Sequence, residues 1–338
     1  MKLRSDYIGV VDIGGSHIRT GAFSVISHKI SSFNRIELSE LLKQDDQNPH
    51  KDRLWLITRS IAKAVNSLIL KYGIQDVVIA FPGPIDKKGV ARAAPTLLGG
   101  ENSDIPVLSI FKNCLPNTQL WILNEVSAAG YGIVAQGVMD FLVITVSSGI
   151  GTKLFTEGKP QLGQNYRGGE LGHLRVDFSE QANICDCGKR GHLGATSSGR
   201  STPFYLGQKK ETIDYNWRST EGYDNSIESN LKLVSALEQN ETWATDILDK
   251  QAFFIAWICA AAHLLTGVER FFLIGGYARA LGNALLQSIS HQAEMMCWEN
   301  GMDWKSAISF TDETDEAVLI GAGIYWLLEH GEAKPLCK

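Results

Sequence analysis

One pattern constrains the fold of this chain more than any other: a strand, a glycine-rich turn and a returning strand, which occurs twice. The first copy spans residues 7–25 and turns at Asp12-Ile13-Gly14-Gly15-Ser16. The second copy spans residues 141–156 and turns at Ser147-Ser148-Gly149-Ile150-Gly151. Because the two turns lie about 135 residues apart, the pattern predicts an internal duplication that produces two similar halves.

Helical and strand patterns alternate along the rest of the chain. Apolar residues recur at helical spacing over residues 54–70, and residues 76–81 have the composition of a buried strand. Another strand, residues 119–123, ends directly before Asn124 and Glu125. Further helices are expected over residues 126–136, 251–266, 280–298 and 316–329, with a strand at 271–274 before the turn Gly275-Gly276. This alternation predicts an α/β fold whose two halves face each other across a cleft.

The size and composition of the chain fit two domains. Its 338 residues are 44% hydrophobic and 20% charged, which is typical of a globular protein with a large buried core. We expect a smaller α/β domain over residues 1–123 and a larger one over 124–315. The last helix, within residues 316–338, is expected to return to the first domain.

Charge and hydropathy exclude several classes of partner. The net charge is −5 and no run of Lys and Arg occurs, so neither nucleic acid nor an anionic membrane surface is predicted to bind. No uninterrupted apolar stretch reaches the roughly 20 residues of a membrane span. The amino terminus lacks the apolar region and cleavage site of a secretory signal, so a cytoplasmic location is expected.

The sequence lacks the patterns of several common enzyme classes. It contains no Walker A motif, HExxH, GxSxG or GxGxxG after a strand, which disfavours P-loop enzymes, zincins and serine hydrolases. The glycine turns are the remaining motifs that could bind a ligand. A glycine pair lets backbone N–H groups approach an anion, so the first turn could hold a phosphate, or a hydrated Mg²⁺ through Asp12. A tight hairpin turn with Asp12 as a turn-forming residue would explain the same residues.

Five motifs follow one another along the chain in an order that resembles the ROK family (repressors, open reading frames and sugar kinases). They are Asp12-Ile13-Gly14-Gly15-Ser16, Pro82-Gly83-Pro84-Ile85-Asp86, Glu170-Leu171-Gly172-His173, Cys185-Asp186-Cys187-Gly188-Lys189-Arg190-Gly191 and Leu273-Ile274-Gly275-Gly276. The resemblance covers residues 7 to 325. It implies two ribonuclease-H-like domains of the actin-like ATPase type, ATP and Mg²⁺ as cofactors, and a homodimer. The implied phosphate-binding residues are Asp12, Gly14, Gly15, Ser16, Ser148, Gly149, Gly151, Gly275 and Gly276.

The cysteine-containing motif indicates a metal site. His173, Cys185, Cys187 and His192 offer two imidazoles and two thiolates, a suitable set for one tetrahedral structural Zn²⁺. Members of the family usually carry Cys where His192 stands, and imidazole is also an ordinary zinc ligand. Free cysteines in a reducing cytosol are the alternative interpretation.

The resemblance also implies which residues bind the phosphate acceptor. Glu170 and His173 would contact sugar hydroxyls, His173 being a zinc ligand as well, and Asn124 matches the family's sugar-binding Asn. Glu125 stands where the family carries a catalytic Asp, the general base that takes the proton of the attacking hydroxyl. Glutamate has the same acid–base chemistry and reaches one methylene farther, about 1.5 Å.

Two departures from the family pattern lie on the acceptor side. Gly194 stands where the family has a Glu near the sugar's anomeric carbon, and Thr96 stands where many glucokinases of the family have Asn. The nucleotide motifs are better preserved. We therefore expect a retained phosphoryl donor and a changed small-molecule polyol acceptor without a hemiacetal, most simply a C7 cyclitol; glucose or an amino-sugar hexose is the alternative.

Three functions are compatible with these residues. The first is an ATP-dependent kinase that transfers the γ-phosphoryl group to a hydroxyl of a sugar or cyclitol. The second is a repressor of the same family, which would carry a helix-turn-helix segment before the first turn, where this sequence has only a short segment before Asp12. The third is a non-catalytic sugar sensor, suggested by the changes at Glu125 and Gly194.

Overall fold

The computed structural model describes residues 5–43, 53–98, 104–208, 224–298, 301–311 and 316–331. The chain divides into two compact units. Unit 1 comprises Met1–Met139, Glu157–Gly168 and Glu313–Lys338, and unit 2 comprises Asp140–Thr156 and Gly169–Asp312. Helices and strands alternate, and the strands form two five-stranded sheets. The predicted mixed α/β class is confirmed.

The described strands are β1 (Tyr7–Ile13), β2 (His17–Ser24), β3 (Ile30–Glu37), β4 (Asp76–Phe81), β5 (Gln119–Asn124), β6 (Phe141–Val146), β7 (Ile150–Thr156), β8 (Lys159–Pro160), β9 (Phe271–Ile274) and β10 (Ile308–Phe310). The helices are α1 (Leu38–Lys43), α2 (Arg53–Tyr72), α3 (Pro95–Leu98), α4 (Val107–Cys114), α5 (Glu125–Val134), α6 (Leu193–Thr196), α7 (Ser201–Gln208), α8 (Asp224–Glu238), α9 (Thr242–Thr266), α10 (Gly276–Met296), α11 (Trp304–Ala307) and α12 (Ala317–Glu329).

The first sheet has the strand order β3-β2-β1-β4-β5. Its first three strands are antiparallel neighbours, whereas β1, β4 and β5 run parallel. Helices α2 and α12 both pack against β1, and all of β1 after Tyr7 is buried. Because the central strands are covered by helices, they read in the sequence as continuous apolar runs.

The second sheet repeats this arrangement, with the order β10-β9-β6-β7-β8. The hairpin β6–β7 is antiparallel, as β1–β2 is, and β9 runs parallel to β6, as β4 does to β1. The turn before α10 requires glycine. Gly275 has φ +103°, and a Cβ there would lie 2.7 Å from the carbonyl oxygen of Val146. The shared topology agrees with the predicted internal duplication.

Some elements were not predicted from the sequence. Strand β3 is mostly polar and half exposed, because it lies at the edge of its sheet and buries no full face. Strand β10, also at an edge, has only three residues. Helix α9 begins at Thr242 rather than 251, and α10 begins at Gly276 rather than 280, with non-helical backbone at Gly282. The polar sequence of residues 208–240 contains helix signals interleaved with Asn and Ser; α8 lies within it, and residues 209–223 lie outside the described part.

The division into units differs from the predicted boundary near residue 124. Residues up to Met139 belong to unit 1, because α5 packs against α12 and against strands β4 and β5. The chain also returns to unit 1 over Glu157–Gly168, a segment that the sequence did not single out. The C-terminal helix α12 belongs to unit 1.

Helix α9 is the one described helix that is long and apolar enough to span a membrane by length and composition. Half of its apolar window is buried within the protein. Its residues Ile247, Leu248 and Ile255 contribute to the core of unit 2, together with strand residues such as Phe271. Core helices of soluble proteins have the same composition, and packing accounts for the buried face of α9, whereas Phe253, Leu264 and Leu265 are exposed.

Candidate active site

Several of the predicted site residues of unit 1 lie at one edge of its sheet. Asp12 is the penultimate residue of β1 and pairs with Ala80 of β4, and Asn124 at the end of β5 pairs with Phe81. The carboxyl ends of these parallel strands therefore meet at the same edge. Ligands of open α/β sheets bind outside such an edge.

Asp12 is almost fully buried and has a cationic partner. Its side chain accepts a hydrogen bond from Arg19, which faces it across the β1–β2 hairpin, at a distance of 2.9 Å between Nη1 and Oδ2. Burial raises the pKa of the Asp12 carboxyl, and the charge and hydrogen bond of Arg19 oppose this shift. Arg19 therefore partly offsets the effect of burial on the Asp12 carboxyl.

The first glycine turn is short and open. The Gly14 N–H donates to the carbonyl of His17 at 2.9 Å, which closes the hairpin. Gly15 and Ser16 at its tip are exposed. The Ser16 carbonyl accepts the N–H of Leu38, the first residue of α1, so one side of the turn is tied to the rest of unit 1.

Asn124 caps the helix that begins with Glu125. Its Oδ1 accepts the backbone N–H groups of Val126 at 3.0 Å and Ser127 at 3.1 Å, while its Nδ2 donates to the carbonyl of Gly83 at 3.0 Å. Such a cap satisfies helix N–H groups that have no partner within the helix. Asn124 thus fixes the start of α5, and its predicted contact with a sugar stays a prediction.

Glu125 is the first residue of α5 and is half buried. A carboxylate in the first turn of a helix is favoured by the positive end of the helix dipole. Because Asn124 holds this turn against the loop after β4, the backbone that carries Glu125 is fixed at the ligand-binding edge of the sheet.

The second glycine turn is held by residues that the sequence analysis did not identify. The Ser148 carbonyl accepts hydrogen bonds from the Ser198 hydroxyl at 3.0 Å and from Nε of Arg200 at 2.9 Å. The Gly199 N–H donates to the carbonyl of Ser147 at 2.8 Å. Residues 196–198 all carry a hydroxyl, and such side chains commonly bind backbone groups. This run could therefore have predicted a contact with a loop or turn.

Glu170 lies in a loop attached to strand β7. Lys153 donates a hydrogen bond from Nζ to Oε1 of Glu170 at 2.5 Å, with side-chain exposures of 4% and 30%. Thr152 holds the backbone on both sides, because its Oγ1 donates to the carbonyl of Gly169 at 2.7 Å and accepts the N–H of Leu171 at 3.2 Å. Neither Thr152 nor Lys153 was predicted.

The four predicted metal ligands come together in unit 2. The ligand atoms of His173, Cys185, Cys187 and His192 all lie within 4.8 Å of one another. Nδ1 of His173 is 3.7 Å from Sγ of Cys185, and Nδ1 of His192 is 3.2 Å from Sγ of Cys187. Tetrahedral Zn²⁺ with ordinary bond lengths separates its ligand atoms by about 3.3 to 3.8 Å. The two distances above are close to this range and the other ligand pairs lie within 4.8 Å, so the set suits the ion once its side chains close around it.

Burial shifts the pKa values of two residues in the cluster. Burial raises the pKa of the Cys185 thiol to about 11, and the sulfur of Cys187 contributes to this shift. Burial also lowers the pKa of His192, with His173 and two nearby cationic side chains acting in the same direction. At neutral pH the protein alone holds a protonated Cys185 thiol and a neutral imidazole. Binding of Zn²⁺ would displace the thiol proton.

Gly194 lies beside both of the loops just described. A Cβ at this position would be 3.3 Å from the carbonyl oxygen of Gly172 and 3.6 Å from the backbone nitrogen of Ile150. A longer side chain at position 194 would therefore adjoin the Glu170 loop and the second glycine turn. Thr96 lies in α3, and its side chain falls outside the described part of the structure.

The predicted residues therefore divide between the units. In unit 1, Asp12, Gly14, Gly15 and Ser16 adjoin the first turn, and Asn124 and Glu125 lie at the same sheet edge. Unit 2 carries the second turn with Ser148, Gly149 and Gly151, the turn Gly275-Gly276 close to β6, Glu170, and the metal cluster.

The sequence of the whole chain corresponds to one known family. The model of the ROK family matches residues 7–329. The chain belongs to the ROK family. A curated relative, the C(7)-cyclitol 7-kinase of Streptomyces hygroscopicus subsp. limoneus, is 29% identical over 326 residues, covering 93% of this chain and 92% of the relative.

Solved ROK structures share the fold. A ROK hexokinase from Thermus thermophilus superimposes with a TM-score of 0.71 and 22% identity, covering 97% of this chain and all of the hexokinase. A ROK family glucokinase from Streptomyces griseus, solved with glucose and AMPPNP, gives a TM-score of 0.70 and 21% identity, covering 94% and 98% of the two chains. These comparisons confirm the predicted actin-like ATPase fold.

Proposed function

We propose that this ROK protein is an ATP-dependent kinase that transfers the γ-phosphoryl group to a hydroxyl of a sugar or cyclitol. The observation that carries the proposal is the position of Glu125, which begins α5 at the ligand-binding edge of the first sheet. Its carboxylate is a suitable general base for an acceptor hydroxyl. The full-length similarity to a C(7)-cyclitol 7-kinase supports the same reaction class.

The donor side uses the glycine turns. Backbone N–H groups of the first turn, with Gly15 and Ser16 exposed, and of the turn at Ser148 and Gly149 would bind phosphate oxygens. Asp12 would hold the hydrated Mg²⁺ through its carboxylate, which lies next to the first turn at the end of β1. When bound, Mg²⁺ neutralises phosphate charge.

The protein's own part in the reaction is orientation and one proton transfer. Asn124 fixes the first turn of α5, and Glu125 would accept the proton of the attacking hydroxyl at its carboxylate as the new oxygen–phosphorus bond forms. Glu170 would orient the acceptor through another hydroxyl. Phosphoryl transfer depends chiefly on such positioning and on charge neutralisation.

We also propose that His173, Cys185, Cys187 and His192 bind one structural Zn²⁺. The support is the mutual distance of their ligand atoms and the chemistry of the set. The purified protein should contain about one equivalent of zinc, and Cys185→Ser should lose it together with acceptor binding, because His173 lies at the end of the Glu170 loop. Metal-free protein with unchanged acceptor binding would contradict the assignment.

We propose a C7 cyclitol as the acceptor rather than a hexose. Gly194 supplies no carboxylate beside the Glu170 loop, where a carboxylate that accepts a hydrogen bond from an anomeric hydroxyl would contribute about 1.5 to 3 kcal/mol. An acceptor without a hemiacetal loses nothing from this change. Amino-sugar hexoses are the nearest competitors, and solved relatives include a hexokinase and a glucokinase.

The test is ATP consumption by the wild-type chain with a panel of acceptors at fixed ATP. The panel contains valiolone-type cyclitols, glucose, N-acetylmannosamine and kanosamine, and kcat/KM is measured for each. The proposal expects a cyclitol to have the highest value. Glucose equal to or better than every cyclitol would contradict the acceptor class, and acceptor binding without ATP consumption would indicate a sensor instead of a kinase.

A further inference from the structure

Lys153 is a buried lysine beside the loop that carries Glu170, and the proposed reaction gives it no role. Lys153 has only 4% of its side chain exposed, and Nζ lies 2.5 Å from Oε1 of Glu170. It also contacts the carbonyl of Gly169 at 3.5 Å. Lysine is almost never buried to this degree without a charged partner, because its ammonium loses its hydration.

We propose that Lys153 is a positioning residue that determines acceptor binding by fixing the carboxylate of Glu170. The inference rests on the proposed function, in which Glu170 binds a hydroxyl of the acceptor. Lys153 occupies Oε1, so the carboxylate is held in one orientation while Glu170 remains 30% exposed to a ligand. The acceptor consequently meets a carboxylate that is already oriented and charge-balanced.

The backbone around Glu170 supports this assignment. Thr152 and Lys153 are consecutive residues of β7, and Thr152 binds the backbone on both sides of Glu170 through Gly169 and Leu171. Gly169 has φ +79°, and a Cβ there would lie 2.9 Å from Cδ of Lys153, so the loop leaves room for the lysine stem only because residue 169 is glycine. One strand therefore fixes both the backbone and the side chain of the acceptor-binding residue.

The arrangement predicts how Lys153 and Glu170 act together. Without the ammonium, Glu170 loses its preset orientation, and the acceptor must order it on binding. The affinity for the acceptor therefore falls, whereas nucleotide binding and the base Glu125 are unaffected. Charge-assisted hydrogen bonds of this kind correspond to about 10- to 100-fold in an equilibrium constant.

The experiment is a double-mutant cycle of Lys153→Met and Glu170→Gln, measured with the best acceptor of the panel. Lys153→Met should raise the KM and the calorimetric Kd for the acceptor about 10- to 100-fold, with kcat and the KM for ATP within about threefold of wild type. In the Glu170→Gln background the same lysine change should have little further effect, since the pair acts as a unit. Lys159→Met, at an exposed lysine on β8, is the matched control and should change nothing.

Each outcome decides one question. If Lys153→Met lowers thermal stability but leaves the acceptor KM and Kd unchanged, Lys153 is a structural residue and the inference is wrong. Additive effects of the two substitutions would also overturn it. Wild-type protein that binds an acceptor in the calorimeter without consuming ATP would contradict the kinase proposal alone, because the binding comparison between the variants still tests Lys153.

Discussion

At the scale of single residues, Asp12 shows how a predicted ligand depends on a partner that no motif identifies. Asp12 comes at the end of an apolar run and shortly before a glycine pair, so the sequence alone predicts it as a site residue. Arg19 lies seven residues later and meets Asp12 only because the hairpin register places the two opposite each other. Its guanidinium opposes the effect of burial on the pKa of Asp12.

Arg19→Gln should therefore move the pH dependence of the reaction. Without the guanidinium, burial raises the pKa of the Asp12 carboxyl further, so a higher pH is required to keep it ionised and able to hold a cation. The acidic limb of kcat/KM for Mg·ATP should therefore shift to higher pH. Arg19→Lys keeps the charge and should shift it less, and an unchanged acidic limb in Arg19→Gln would exclude this dependence on Asp12.

Glu125→Gln should lower kcat by about 10² to 10⁴, because the amide cannot accept the proton of the acceptor hydroxyl. ATP binding, followed by calorimetry, and the folded structure should be unchanged. Glu125→Asp keeps a base but withdraws it by one methylene, so it should retain more activity than the amide. Turnover by Glu125→Gln equal to that of wild type would remove Glu125 as the base.

The sequence predicts most of the candidate site residues but not the residues that hold them in position. Glycines, cysteines and carboxylates at strand ends carry a chemical signal in their type and spacing. Lys153 carries none, because a lone lysine in a strand predicts an exposed side chain, and only the fold brings it to Glu170. Asn124 caps α5 in the structure, a role that its sequence position also allows, and its contact with a sugar stays a prediction.

At the scale of elements, the side chain of Arg200 connects the loop that contains Cys185 and Cys187 with the second glycine turn. Arg200 donates from Nε to the carbonyl of Ser148 and forms an ion pair through Nη1 with Asp186, which stands between the two cysteines. The conformation of the cysteine loop is thereby linked to that of the second glycine turn, which is predicted to bind phosphate.

Arg200→Gln should loosen this connection and raise the KM for ATP by about 5- to 20-fold, since a charge-assisted hydrogen bond and an ion pair are lost. The KM for the acceptor should change less. Arg200→Lys keeps the charge near Asp186 but cannot reproduce the Nε contact, so its effect should lie between wild type and Arg200→Gln. Equal increases in the KM for both substrates would show a general loss of structure instead.

Elements differ in how well the sequence predicts them. Buried strands such as β1, β4 and β6 have continuous apolar runs, and their bounds agree closely with the prediction. The edge strands β3 and β10 were missed because an edge strand needs no such run. Their place in the sheet is determined by neighbouring strands, which a local pattern does not contain.

At the scale of the whole molecule, the chain passes between its two units several times. Residues 157–168 return to unit 1 in the middle of the sequence of unit 2, and α12 returns at the end. The duplicated hairpin predicted two halves, but these returns depend on packing between helices distant in sequence. Helix α12 meets α5 through glycine: a Cβ at Gly132 of α5 would lie 3.2 Å from the carbonyl oxygen of Ala317.

Gly321→Ala should consequently destabilise unit 1 more than its single methyl group suggests. A Cβ at position 321 would lie 1.8 Å from the carbonyl oxygen of Ala128 in α5, so the two helices must move apart. Overpacking of this kind should cost about 1 to 3 kcal/mol in the free energy of unfolding, which urea denaturation measures. Gly207→Ala in α7 is the matched control, since an added Cβ there has nothing within 4 Å and the change should be neutral or slightly stabilising. If both variants unfold at the same urea concentration as wild type, the close contact of α12 with α5 does not hold unit 1 together.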